Sequence, residues 1–305
     1  MKLLIIRSGA LGDTLMLMPL ISALSGEHEI TILGRKPGID FLESCVEQCI
    51  DIERGRWHRL FSRVSDIDIP CPQVDHVIAF INDKENIVVE NLSHLFSVSK
   101  INIFPPFPAP ESQTHVALYM AGALQSSGIA IDPRSAIDAT LNKPVIQSSE
   151  GGGNKVVLHP GSGSEKKNYS PDFWFRLVEQ IKKSNPDSSF DMCFLLGPAE
   201  EDIFSLVERK AAELGAEIAC PYGQELISLL NKACLYIGHD SGVTHLAAML
   251  GVNTVALFKN SSVEYWRPLG PFVKIVSEEG NEESILEVTV GEASAFLKNA
   301  GYNHK

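Results

Sequence analysis

The sequence lacks an apolar run near the ~20 residues needed to cross a bilayer. Its opening stretch, Met1-Lys2-Leu3-Leu4-Ile5-Ile6, is stopped by Arg7 before it reaches signal-peptide length. The expectation is a cytoplasmic chain whose membrane contact, where there is any, is peripheral. Positive charge is also scarce: 26 Lys and Arg stand against 38 Asp and Glu, a formal charge of -12. That balance argues against general nucleic-acid binding. Cys45, Cys49, Cys71, Cys193, Cys220 and Cys234 form no CxxC pair and read as buried thiols in a reducing compartment. A GxGxxG fingerprint is missing as well. What remains, 305 residues with 44% hydrophobic and 21% charged, is enough for two α/β domains of an enzyme-like protein.

Lys2 to Ile6 is a short continuous apolar run, the mark of a strand buried on both faces. Arg7-Ser8-Gly9-Ala10-Leu11-Gly12-Asp13 follows as a Gly-rich turn, and residues 14–24 then take helical spacing. Asp13 therefore stands at the carboxyl end of a first strand, where open α/β sheets place their ligands. Two roles fit it, a helix cap and a general base. Residues 29–33 and 74–80 read as strands with a helix over 41–48 between them, which would put Cys45 and Cys49 on one face. Arginines cluster at 54–63. On a helix Arg56, Arg59 and Arg63 would share a face, suited either to solvent or to an anionic acceptor. The Pro-rich stretch 104–110 predicts an extended loop, and 114–127 a helix.

Small polar residues at 147–154 suggest an interdomain linker. Beyond it the pattern restarts: Lys155-Val156-Val157-Leu158 as a strand, His159-Pro160-Gly161-Ser162-Gly163-Ser164 as a loop, and a helix over 172–183. Its glycines and serines offer backbone and hydroxyl donors, and a lysine can neutralise a diphosphate. A strand over 190–196 ends in Gly197-Pro198-Ala199-Glu200, an acid placed to hold a ribose diol or to favour a helix start. After a short helix over 225–232 comes Tyr236-Ile237-Gly238-His239-Asp240-Ser241-Gly242-Val243-Thr244-His245. An apolar run gives way there to a helix whose first N–H groups lie under small residues, a ready anion site flanked by a carboxylate and an imidazole. The same residues also serve an ordinary capped strand–turn–helix. A strand over 252–258, a loop and patchy helical spacing over 282–298 complete the chain.

These motifs, in this order, resemble glycosyltransferase family 9, the ADP-heptose:lipopolysaccharide heptosyltransferases. The resemblance rests on Arg7-x-x-Ala10-Leu11-Gly12-Asp13, His159-Pro160-Gly161-Ser162-Gly163 with Lys167-x-Tyr169, Gly197-Pro198-Ala199-Glu200, and Asp240-Ser241-Gly242-x-Thr244-His245. It implies an α/β, GT-B architecture: two Rossmann-like domains facing each other across a central cleft. Residues 1–150 would bind the acceptor and 151–305 the sugar nucleotide, with a last helix able to pack back on the first domain. It further implies inverting transfer that needs no metal or other cofactor, the sugar nucleotide being a substrate. Asp13 would be the base and Lys167 the cation for the leaving diphosphate. Gly161, Ser162, Gly163, Glu200, Asp240, Ser241, Gly242, Val243 and His245 would hold the donor. Arg56, Arg59 and Arg63 are candidates for a glycan or glycolipid acceptor.

The chain departs from the family pattern in three places. Ser241 replaces a frequent Thr, Tyr169-Ser170 a frequent Trp-Pro, and Lys259 a glycine common after the strand ending at Phe258. Two rival readings are a sugar-nucleotide epimerase of the same fold and a binding protein that has lost turnover. A zinc site at His239, Asp240 and His245 is a weaker idea, since no fourth ligand can be named.

Overall fold

The computed structural model describes residues 1–63, 68–146, 152–186, 189–277 and 280–302. The chain divides into two compact units, Met1–Ala139 and Thr140–Lys305. The division falls ahead of the expected linker, whose residues 147–151 lie outside the described ones. The reason is local: the amides of Val145 and Ile146 donate to the Met249 carbonyl, which ties this segment to the second unit.

The first unit runs β1 (Lys2–Arg7), α1 (Leu11–Leu15), α2 (Met18–Leu24), β2 (Glu29–Gly34), β3 (Gln48–Asp51), β4 (His76–Phe80), α3 (Ile87–Leu95), β5 (Lys100–Phe104), α4 (Val116–Ser126) and α5 (Pro133–Asn142). Its parallel sheet has the order β3-β2-β1-β4-β5. The second unit runs β6 (Lys155–His159), α6 (Pro171–Ser184), β7 (Asp191–Leu195), α7 (Phe204–Leu214), β8 (Glu217–Ala219), α8 (Gln224–Asn231), β9 (Ala233–His239), α9 (Gly242–Met249), β10 (Thr254–Phe258), α10 (Val263–Trp266), β11 (Val273–Ser277) and α11 (Glu282–Tyr302). Its sheet, also parallel, has the order β11-β10-β9-β6-β7-β8.

In each sheet the winding reverses once, between β1 and β4 and between β6 and β9. A crevice opens beyond the strand ends at such a reversal, and α/β proteins use it for ligands. The loops carrying Asp13, His159 to Lys167 and Asp240 to Val243 all leave strands at these two reversals. The strands beneath them are apolar on both faces: Leu3 to Ile6, Val156 to Leu158 and Leu235 to Ile237 are fully buried. One core gathers Leu4, Ile6, Trp57, Leu60, Val77 and Leu92. The other gathers Phe173, Trp174, Phe194, Leu235, Ile237 and Leu286.

Three local expectations are corrected. The helix expected over 14–24 is two helices, because Pro19 sits in the first turn of α2 and its ring could not sit inside a continuous helix. The helix expected over 41–48 is replaced by a 3-10 turn at Gly38–Phe41 and the edge strand β3. Pairing with β2 along Thr31 to Gly34 overrides the weak helical spacing, so Cys45 and Cys49 share no helix face. The arginine segment is a short 3-10 turn, Trp57–Phe61, that buries Trp57 and Leu60. Its arginines therefore form no helix face. The last helix, α11, buries Ile285, Leu286, Val290, Ala293 and Leu297 in the core of its own unit, against α6 and β9 to β11.

Candidate active site

In the first unit, the β1–α1 turn brings Asp13 back over itself. Asp13 is the third residue of α1, and its Oδ2 accepts from the Ala10 amide at 3.0 Å. An added Cβ at Gly9 would lie 2.5 Å from that same oxygen, so only glycine leaves the carboxylate its place. Beneath it Arg7 is 1% exposed. One terminal nitrogen stands 4.0 Å from Asp13 Oδ1, the other donates to the Pro106 carbonyl at 2.6 Å, and the guanidinium lies 4.8 Å from the Phe107 ring centre. Burial lowers the pKa of Arg7, while the charges of Asp13 and Tyr119 oppose that shift. Asp13 thus combines a structural role with one carboxylate oxygen beside a buried cation, and its side chain stays 21% exposed.

The arginines lie elsewhere on this unit. Arg56 pairs with Asp68 at 3.3 Å and Arg63 with Glu85 at 3.1 Å, both on the surface. Asn91 of α3 holds the turn between them through the Leu60 and Ser62 carbonyls. A cavity of about 490 Å³ opens beyond β4 and β5, between Asn82 to Asn86 and Phe104-Pro105. Nothing in the sequence pattern marked it.

In the second unit, Ser241 is the N-cap of α9 and its Oγ accepts from the Thr244 amide at 3.4 Å. The amides of Gly242 and Val243 open the helix at partly exposed positions. Asp240 precedes them, 5% exposed. Lys167 Nζ donates to its Oδ2 at 2.6 Å, and His245 Nε2 stands 3.7 Å from Oδ1. Burial pushes the Asp240 carboxyl up, but His245 and Lys167 together more than reverse this, leaving it below the usual range. The tertiary fold thus brings Lys167 to Asp240 and His245, which lie 73 or more positions away in sequence.

Glu200 lies behind this cluster, 2% exposed. Its Oε2 accepts from the Gly197 amide at 2.5 Å, and Oε1, without a hydrogen-bond partner, stands 3.5 Å from His159 Nε2. Burial raises the Glu200 pKa, partly countered by backbone amides. A Cβ on Gly161 would fall 1.4 Å from Oε1, so the glycine backbone lies directly over the carboxylate. Ser162 turns inward, its hydroxyl 2.7 Å from Asn168 Oδ1 and 2.9 Å from the Ser164 carbonyl, while Gly163 stays open.

A buried hydroxyl chain that the motifs did not reveal joins these parts. His159 Nδ1 meets Tyr236 Oη at 3.1 Å, which meets Thr244 Oγ1 at 3.1 Å, which bonds the His239 carbonyl. His239 itself faces away, stacked on Tyr169 and edge-on to Trp174, with Nε2 accepting from the Tyr169 amide at 2.9 Å. It therefore joins no cluster with Asp240 and His245. Among the described residues, no three His, Cys, Asp or Glu side chains are grouped to hold a metal ion. Lys259 directly follows β10, with its Nζ 3.3 Å from the Asn168 carbonyl and 4.7 Å from the Tyr169 ring centre.

Two parallel-sheet α/β units, each with its candidate loops at the reversal of its sheet, match the GT-B fold. The family model of glycosyltransferase family 9 (heptosyltransferase) matches residues 95–290, and the chain belongs to that family. Solved structures agree in fold. The E. coli heptosyltransferase WaaC with ADP superposes with a TM-score of 0.68 at 14% identity, covering 98% of this chain and 100% of the other. E. coli ADP-heptose lps heptosyltransferase II gives 0.66 at 18%, covering 98% and 99%. The family 9 glycosyl transferase from Veillonella parvula gives 0.68 at 14%, covering 98% and 97%. No curated protein matches the chain in sequence. Among the described residues, no helix is long and apolar enough to cross a membrane.

Proposed function

We propose that this glycosyltransferase moves heptose, or a closely related sugar, from a nucleoside-diphosphate donor to a lipopolysaccharide-core or other glycan acceptor. ADP-heptose is the donor of choice, with inversion at the anomeric carbon and without a metal. The observation carrying this reading is the Lys167–Asp240–His245 cluster at the start of α9. A diphosphate leaving group needs positive charge, and a lysine beside open helix amides supplies it preorganised. The E. coli heptosyltransferase WaaC has been solved with ADP and with ADP-2-deoxy-2-fluoro heptose, which supports a donor of that kind.

In the proposed reaction Asp13 takes the proton of an acceptor hydroxyl as that oxygen attacks the anomeric carbon. The bond to the diphosphate breaks on the opposite face, and its electrons leave with the phosphate oxygen. Lys167 and the amides of Gly242 and Val243 receive that charge. Asp240 holds the lysine in place and, with His245, faces the sugar and phosphate. Glu200 Oε1, an acceptor lacking a partner, takes a ribose hydroxyl once the loop at Gly161 to Gly163 lifts from it. Arg56 and Arg63 exchange their surface acids for an anionic acceptor, beside Arg59, at little cost, because exposed ion pairs contribute about 0–1 kcal/mol. Any contact with a membrane would be peripheral.

The test is thermal stabilisation by a panel of sugar nucleotides, with and without EDTA. A ligand at ~100 times its Kd adds about 2.7 kcal/mol. Stabilisation by ADP-heptose, unchanged by EDTA, supports the reading. Response to another sugar nucleotide changes the donor, and no response to any overturns donor binding. Asp13→Asn keeps the amide contact yet removes the base, so transfer should fall ~10²–10⁴-fold with donor affinity intact. Undiminished transfer would remove the base assignment.

A further inference from the structure

We propose that Lys259 is a second cation of the donor site and contacts the diphosphate of the bound sugar nucleotide, an inference that rests on the donor-site reading above. The position is set by the sheet. Asp240 donates its amide to the Leu257 carbonyl, so the end of β10 lies beside the turn that opens α9. Lys259 follows two residues later. Its ammonium meets the Asn168 carbonyl, one residue from Lys167, and rests over the Tyr169 ring. The adjacent Asn260 donates to the Lys166 carbonyl at 2.8 Å. The end of β10 thus grips the 3-10 turn Glu165–Lys167 that carries the lysine already assigned to the donor.

The charge balance gives Lys259 its purpose. Lys167 is matched by Asp240 at 2.6 Å, so that pair is neutral before any ligand arrives. A nucleoside diphosphate brings about two to three negative charges, which a neutral pair and helix amides answer only in part. Lys259 has no carboxylate partner among the described residues, and its side chain is half-buried. A carbonyl and a ring face are weaker partners for an ammonium than a phosphate oxygen. Its flexible four-carbon stem lets it move from the first to the second. A glycine, common at this place in the family pattern, would supply no such charge.

The experiment compares wild type with Lys259→Gln, which can still donate to the Asn168 carbonyl but carries no charge, and Lys259→Arg, which keeps it. Binding of ADP is measured by calorimetry and that of adenosine by competition, at two salt concentrations, after matching melting temperatures. The expected result is about a tenfold loss of ADP affinity in the Gln variant. Adenosine affinity should hold, salt dependence should flatten, and Arg should largely restore binding. Unchanged ADP affinity overturns the proposal. So does an equal loss for ADP and adenosine, since Lys259 would then merely hold the turn. If wild type itself binds neither, the donor-site reading has failed, and Lys259 falls with it.

Discussion

Two histidines show how one buried residue makes stability depend on pH. Burial pulls His159 down to about 4 and His239 to about 3, where proximity to His159 and Lys259 adds to the effect. Both rings are neutral in the fold, whereas in the unfolded chain each protonates below about 6.5. The unfolded state then binds more protons, so stability falls as pH drops from about 6.5 toward 4. Each ring contributes a slope of about 1.4 kcal/mol per pH unit. Denaturant unfolding between pH 7.5 and 5 should show this loss, and His239→Gln should flatten it. An equal slope in that variant would assign the effect to other groups. Gly161 makes the steric counterpart. Gly161→Ala puts a methyl where Glu200 Oε1 stands and should weaken sugar-nucleotide binding about tenfold or more, with a stability loss of about 1–3 kcal/mol. Unchanged binding would mean that Glu200 does not hold the ribose.

Among the elements, α11 carries the clearest energetic consequence. It closes the second sheet on the α6 side, and Leu286 is fully buried in the core there. Leu286→Ala should cost about 2–5 kcal/mol, read as a lower denaturant midpoint. A loss below ~0.5 kcal/mol would mean the helix is not part of that core. The ion pair of Arg176 with Glu283 and the bond of Ser170 to Glu282 at 3.0 Å lie on the surface of the same contact. Elements also mark where sequence patterns mislead. The spacing over 41–48 suited a helix, but an open sheet edge beside it took the chain as β3. The arginine turn likewise follows its two buried side chains, Trp57 and Leu60, rather than the charges between them.

For the molecule as a whole, the central strands β1, β2, β4, β6, β7, β9 and β10 were legible as short, mostly apolar runs, whereas β3, β5, β8 and β11, which lie toward the sheet edges and carry polar residues, were not. The buried strands, the Gly-rich turns and the acid or Ser-Gly at strand ends follow from composition and spacing, since a strand buried on both faces is built mostly from apolar residues. Those features determined the fold class, the two repeats of the pattern and the positions of Asp13, Glu200 and Asp240. Tertiary structure alone decided which of them meet. Lys167 reaches Asp240 across 73 positions, and the hydroxyl chain links His159 to Tyr236 across 77, because strand order sets neighbours independently of sequence distance. It also decided the fate of side chains that the motifs named: Ser162 turned inward, Glu200 covered by a glycine, His239 facing the core and Lys259 laid across the donor turn. Each of these depends on what packs opposite, a quantity that no single stretch of sequence contains.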